Sequence, residues 1–268
     1  MKIPQILKKK IIVIPFCLVF VLLLILLFTL PNVEDLKSAN PTETAMMRYR
    51  AEQDARNKRK TRKQQKWVRL SLISPYLIHA VIISEDDKFY EHEGFDWESM
   101  NKALEKNISK KKIMRGGSTI SQQLAKNLYL SPSKNPIRKI REAIIAHSLE
   151  KNLSKKRILE IYLNVIEWGQ GIYGIEAASN CYFNKSASSL SPAEAIRLAS
   201  VLPNPIRFSA ITNSSRRMTN KRKIIAARML KRKIIDEETY QQILTDIDPE
   251  NHPPQDPEES FWDKINPF

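Results

Sequence analysis

Apolar and polar positions divide the chain into three regimes. Residues 11–30 read IIVIPFCLVFVLLLILLFTL, twenty positions without a charge. At about 1.5 Å rise per residue the run spans roughly 30 Å, the hydrocarbon thickness of a bilayer. Pro15 near its start is tolerated in a membrane helix. The run exceeds the roughly 7–15 residues of a signal-peptide core, and no small-x-small cleavage site follows it. It is therefore expected to be an uncleaved anchor rather than a signal or a core helix. Residues 31–66 are polar and charged with few aliphatics, which predicts a basic stalk or juxtamembrane segment, helical in part. From 67 to 247 the period becomes helical. Leu77, Ile78, Val81, Ile82, Glu85 and Phe89 fall on one helical stripe. Thr119 and Gln122 have capping-box spacing and open a helix running to about Tyr129. Pro136 starts another, with Ile137, Ile140, Ile144 and Leu149 at roughly helical intervals. Ser154 caps a third, and Ser191-Pro192-Ala193-Glu194 sets a cap, a first-turn proline and a box glutamate in order. Strand-like alternation is scarce. Residues 67–247 are expected to form a single all-α domain, and the acidic, Pro-rich stretch 248–268 an irregular tail.

Charge changes this picture by pointing to a partner. Lys and Arg number 44 against 29 Asp and Glu, a net +15. That excess predicts polyanionic company: nucleic acid, an anionic membrane surface or a phosphate-bearing substrate. Lys2, Lys8, Lys9 and Lys10 precede the apolar run, so residues 1–10 are expected in the cytoplasm and the body across the membrane. Arg56, Lys58, Arg59, Lys60, Arg62, Lys63, Lys66 and Arg69 argue the other way, but they begin beyond the roughly 15–20 flanking residues that dominate orientation. This cluster fits either a solvated linker or a contact with anionic headgroups. Arg207 to Lys233 is basic without acids and is expected to face solvent or headgroups. Cys17 and Cys181 are the only cysteines, which excludes a disulfide framework or a Cys-based zinc domain.

Three segments carry candidate chemistry. Glu85 continues the apolar stripe, and a carboxylate desolvated against an apolar wall has a raised pKa, as general acid–base work near neutral pH requires. Read alone, it fits better a last turn that points into solvent, as glutamates on charge-rich chains usually do. His92 nearby fits a cap or a core bond better than a metal ligand. Arg115-Gly116-Gly117-Ser118-Thr119 precedes a capped helix, where backbone N–H groups and the positive helix end favour an anion. Lys126 lies two turns further along that face, and Gln122 and Gln123 add amide donors. The GxxxxGK[ST] phosphate loop is absent. Arg138 and Glu142 are four apart and share a helical face, which by itself predicts only a weak surface pair. SxxK recurs at Ser99, Ser109, Ser131 and Ser148 without a following KTG, so a penicillin-type serine site is not expected.

These segments occur in one order that resembles the monofunctional peptidoglycan glycosyltransferases, the transglycosylase family also fused to class A penicillin-binding proteins. Glu85 to Gly94 (EDDKFYEHEG) is similar to the family's ED-x-x-F-x-x-H-x-G. Gly116 to Asn127 (GGSTISQQLAKN) is similar to GGST-x-x-QQ-x-x-KN. Arg138 to Glu142 (RKIRE) and Arg157 to Asn164 (RILEIYLN) match two further motifs. The resemblance implies an all-α, lysozyme-like domain of two lobes behind a single transmembrane helix. It implies a substrate, lipid II, and polymerisation of lipid II into glycan strands with inversion at the sugar, in bacterial cell wall synthesis. It gives Glu85 the role of general base and places Glu142 at the pyrophosphate side, there to position a divalent cation (Mg or Mn, carried with the pyrophosphate) or a basic side chain. Ser118, Thr119, Gln122, Gln123, Lys126, Asn127 and Arg138 become substrate-binding residues, and Glu160 a structural one. Ile108, Ile113 and Met114, set among lysines, suit a bilayer surface. The implied partners are the growing strand, membrane lipid and other wall synthases, not nucleic acid. The location is the inner membrane with the catalytic domain outside. At 268 residues, a transpeptidase domain and its activity are not expected. The rival readings are a lysozyme-like lytic enzyme and a membrane-tethered nucleic-acid binder.

Overall fold

The computed structural model describes residues 29–110, 117–133, 135–211 and 215–247. The expected anchor (all but its last two residues), the tail 248–268, Arg115 and Gly116, and the side chains of Ile108, Ile113 and Met114 lie outside them. Among the described residues no helix is long and apolar enough to cross a membrane.

The body is mostly helical, built from α1 (Ala45–Arg56), α2 (Pro75–Glu85), α3 (Trp97–Lys110), α4 (Ile120–Tyr129), α5 (Pro136–Asn152), α6 (Lys155–Val165), α7 (Ile175–Phe183), α8 (Pro192–Val201), α9 (Arg216–Lys231) and α10 (Glu237–Ile247). The expected caps open their helices. Ser154 Oγ accepts from Arg157 N, and capping boxes at Thr119/Gln122 and Ser191/Glu194 are both closed. The central helix is α2. Its Leu77, Ala80 and Val81 are fully buried, because it packs against α8 on one side and α9 on another. Burying one such leucine or valine stabilises the fold by about 1.5–3 kcal/mol. A second group joins α4 to α5, α6 and α1. Phe89, Tyr162 and Trp168 are the largest side chains in the shared core.

Four expectations are corrected. The stripe through Phe89 is not one helix: α2 stops at Glu85 and Asp86 is its C-cap, so Phe89 reaches the core from a following turn. In α5 the inward face is Glu142, Ile145, Ala146 and Leu149, while Ile137 and Ile140 are 40% and 52% exposed. The segment 31–66 is not a free stalk. Val33, Leu36 and Met47 are buried, and α1 packs on α4. Arg157 fixes its start by donating to Leu36 O and Ala39 O, both at 2.8 Å. Finally, β1 (Gln64–Gln65), β2 (Glu167–Gly169) and β3 (Ile172–Tyr173) form a small sheet of order β1-β3-β2, parallel at β1/β3 and antiparallel at β2/β3. Gly171 permits that close approach. Its φ is +72°, and a Cβ there would stand 2.5 Å from Arg62 O.

The RILEIYLN segment is structural. Glu160 accepts from Leu70 N at 2.8 Å, and Asn164 exchanges two 2.8 Å bonds with the backbone of Val68.

Candidate active site

Ending α2 at Glu85 places a carboxylate where three elements meet. Glu85 Oε1 accepts from Ser84 Oγ at 3.0 Å and from Lys221 Nζ of α9 at 3.3 Å, and Oε2 accepts from Gln123 Nε2 of α4 at 3.1 Å. The side chain is 11% exposed. Its hydrogen-bond partners are an alcohol, an amide and an ammonium. Tyr162 is fully buried, and its hydroxyl donates to Gln123 Oε1 at 2.9 Å. That bond fixes which end of the Gln123 amide faces Glu85.

The next residue sets the frame. Asp86 is buried and accepts from Ile120 N at 2.9 Å, at the positive end of α4, and from His92 Nε2 at 2.9 Å. His92 Nδ1 in turn accepts from Gly94 N. His92 is thus the cap-like, core-bonded histidine that was expected. Thr119 and Gln122 serve the same joint. Thr119 Oγ1 donates to Gly94 O at 2.7 Å while accepting from Gln122 N, and Gln122 Oε1 accepts from Thr119 N. Both are 2% exposed, so these two residues, expected to bind substrate, are engaged as a cap that positions α4.

One cavity is lined by Glu85 itself and a second by its partner Gln123. The first, of about 160 Å³, is also lined by Asp86, Ser118, Thr119 and Arg228. The other, of about 150 Å³, is lined by Gln123, Lys126, Asn127 and Tyr162 on one side and by Arg50 and Glu167 on the other. Burial pushes the Lys126 ammonium below the ordinary lysine range. Arg138 and Lys139 push it the same way, while Glu142 and Glu85 pull against them. Lys126 therefore senses both carboxylates. Burial also lowers Lys221, with Glu85 opposing.

Glu142 is 3% exposed, and its two oxygens are taken by Arg138 Nη1 and Lys139 Nζ. Lys139 also donates to Ser118 Oγ at 3.2 Å, tying α5 to the loop before α4. The pair expected at the surface is buried on the carboxylate side. Among the described residues no group of three or more His, Cys, Asp or Glu is gathered to hold a metal. Glu142, the one expected protein ligand, is already neutralised by two cations. This donor set does not fit a protein-held divalent cation.

Eight of the nine expected site residues line these cavities or ion pairs: Glu85, Ser118, Thr119, Gln123, Lys126, Asn127, Arg138 and Glu142. Thr119 lines one cavity wall but its hydroxyl is committed to the cap, and Gln122 stands behind it. Reading the sequence missed Lys221, Arg228, Lys139 and Tyr162. Lys221 and Arg228 belong to the basic stretch expected to face solvent or headgroups. Their seven-residue spacing, flanking the buried stripe Met218, Arg222, Ile225 and Met229, was the available signal.

These features define a carboxylate-and-cation site on a mostly helical body. The transglycosylase family model matches residues 52–230, and the chain belongs to that family. It is 50% identical over 190 residues to the biosynthetic peptidoglycan transglycosylase of Dechloromonas aromatica (strain RCB), covering 71% of this chain and 82% of that protein. The proteins of the same name from Aromatoleum aromaticum (53% over 169 residues, 63% and 74% covered) and Chromobacterium violaceum (46% over 212 residues, 79% and 92% covered) are similar.

Proposed function

We propose that this chain is a peptidoglycan glycosyltransferase of the cell envelope that polymerises lipid II, with Glu85 as general base. The observation that carries the reading is the Glu85 carboxylate, held by Ser84, Gln123 and Lys221 at the wall of one cavity, with Gln123 joining it to the cavity that Lys126 lines. A sugar hydroxyl is a poor nucleophile, so its proton must leave as it attacks. Glu85 takes the proton of the acceptor's GlcNAc 4-hydroxyl as that oxygen forms its bond to MurNAc C1 of the strand. The C1–oxygen bond to undecaprenyl pyrophosphate breaks on the opposite face, and the anomeric centre inverts. Negative charge gathers on the leaving pyrophosphate. Lys126, Arg138 and Lys139 are the cations that stabilise it, with Ser118 as a further donor. Glu142 orients Arg138 and Lys139 for that task, and no step is assigned to a metal.

In this reading the fold is the lysozyme-like, two-lobed domain, and the region of α3 is its smaller, membrane-proximal lobe. The exposed aromatics Tyr90 (55%) and Trp97 (66%), the latter stacked on Phe95, support that placement. Residues 11–30 anchor the chain in the inner membrane with residues 1–10 in the cytoplasm and the site outside. Membrane lipid and other wall synthases are its further partners.

The test is purified full chain in detergent with lipid II. Glycan strands and free undecaprenyl pyrophosphate are expected. Solubilisation of preformed wall without polymerisation would overturn the reading in favour of a lytic enzyme. The pH profile gives a second check. Lys126 loses its proton at a lower pH than an ordinary lysine, so a rate that needs its charge falls early on the alkaline side. Lys126→Arg keeps the charge at all such pH values. It is expected to lower the peak rate but move the alkaline limb to higher pH. An unmoved limb in rate-versus-pH curves would remove Lys126 from the charged set.

A further inference from the structure

The basic run 56–69 has a place in the fold that the reaction above does not use. β1 and Gly171 hold it against the body, since Gln64 N donates to Gly171 O at 2.8 Å. Its Arg59, Arg62 and Lys63 thereby line a cavity of about 260 Å³, together with Glu43, with Asp54 of α1, and with Arg50 and Glu167 at one wall; Lys63 Nζ donates there to Thr42 O at 2.7 Å, which leaves it two further N–H donors. Arg50 Nε donates to Glu167 Oε2 at 2.9 Å, and this same pair lines the cavity that contains Gln123 and Lys126. The two cavities are therefore neighbours across one ion pair, and the far one carries three guanidinium groups and one ammonium against the carboxylates of Glu43, Asp54 and Glu167. Such cations match carboxylates, whereas an uncharged sugar face gives them nothing to pair with.

We propose that this far cavity is a distal subsite for the peptide branch of the growing glycan strand, with Arg59, Arg62 and Lys63 taking peptide carboxylates and Asp54 a peptide amine. The inference rests on the function proposed above. It adds that the strand is held away from the bond-forming site, which keeps its reactive end at high effective concentration between additions.

The test uses the full chain with lipid II and the double variant Arg59→Gln/Lys63→Gln. Both side chains are exposed; Lys63→Gln gives up the bond to Thr42 O, and circular dichroism checks that the fold is kept. Mean strand length is expected to fall about fivefold, the scale of one exposed ion pair. The rate of the first coupling stays unchanged. Lipid II with amidated peptide carboxylates should shorten wild-type strands equally and leave the variant no shorter. Arg59→Lys/Lys63→Arg should restore length. Unchanged length in the double variant overturns the subsite. So does shortening that adds to the effect of amidation, which would mean that something other than the carboxylates is bound. Lost binding to anionic vesicles at normal strand length would assign the run to headgroups instead. A wild-type chain that makes no polymer would defeat the proposed function itself, an outcome seen before any variant is compared.

Discussion

Replacing Glu85 by Gln is expected to lower lipid II polymerisation by about 10²–10⁴-fold, the range of a lost general base. The change is nearly isosteric. Gln keeps an acceptor oxygen for Ser84 and a side chain of the same reach toward Gln123. What goes is the proton acceptor and the charge opposite Lys221, whose Nζ stands 3.3 Å from Glu85 Oε1. Because Asp86, not Glu85, bonds Ile120 N and His92, the joint between α2 and α4 survives the substitution. The loss should therefore appear in kcat, with KM for lipid II nearly unchanged and the thermal midpoint within a few degrees of wild type. Steady-state kinetics and a melting curve on the same preparation separate these terms. A folded Glu85→Gln protein turning over at the wild-type rate would remove Glu85 from the reaction.

Much of this site was legible in the sequence because local rules govern it. Ser154, Ser191 and Thr119 announce helix starts through hydrogen bonds that span three residues, a distance any window contains. Glu85 and Glu142 stand in short motifs, and both occupy the site. What stayed hidden depends on long-range pairing. Lys221 meets Glu85 across 136 residues, and its neighbours on α9 read as a solvated basic stretch. Residues 31–66 read as a stalk because aliphatics are few. Their docking runs through Leu36 and Ala39 carbonyls to Arg157, and carbonyls leave no residue-type signature. The α5 phase was misread for a related reason. Ile137 and Ile140 look like core, but the inward position near them belongs to Glu142, which is buried with Arg138 and Lys139 as partners. Thr119 and Gln122 carry a second duty that their motif does not announce: both also close the cap of α4.

Glu142→Gln is expected to be the second severe change, by a different route. Its carboxylate is buried, with Arg138 at 18% and Lys139 at 46% side-chain exposure. Removing the charge leaves two cations repelling each other beside the buried Lys126 ammonium. The fold should lose about 1–2 kcal/mol, less than the roughly 3–5 kcal/mol of a fully buried pair, because water reaches Lys139. The greater effect falls on geometry. Lys139 bridges Glu142 to Ser118, so both ends of the proposed pyrophosphate cradle lose their reference point, and a shift near 1 Å costs about 10²-fold in rate. Unlike Glu85→Gln, this loss should divide between KM and kcat. The roles for Glu142 separate on added divalent cation. If Glu142 orients cations of the protein, raising Mg²⁺ or Mn²⁺ does not rescue Glu142→Gln. If it held a metal, a weakened site would fill at higher concentration and activity would return. Titration of the variant with each metal decides between them, and wild-type kcat/KM at ordinary metal would exclude both.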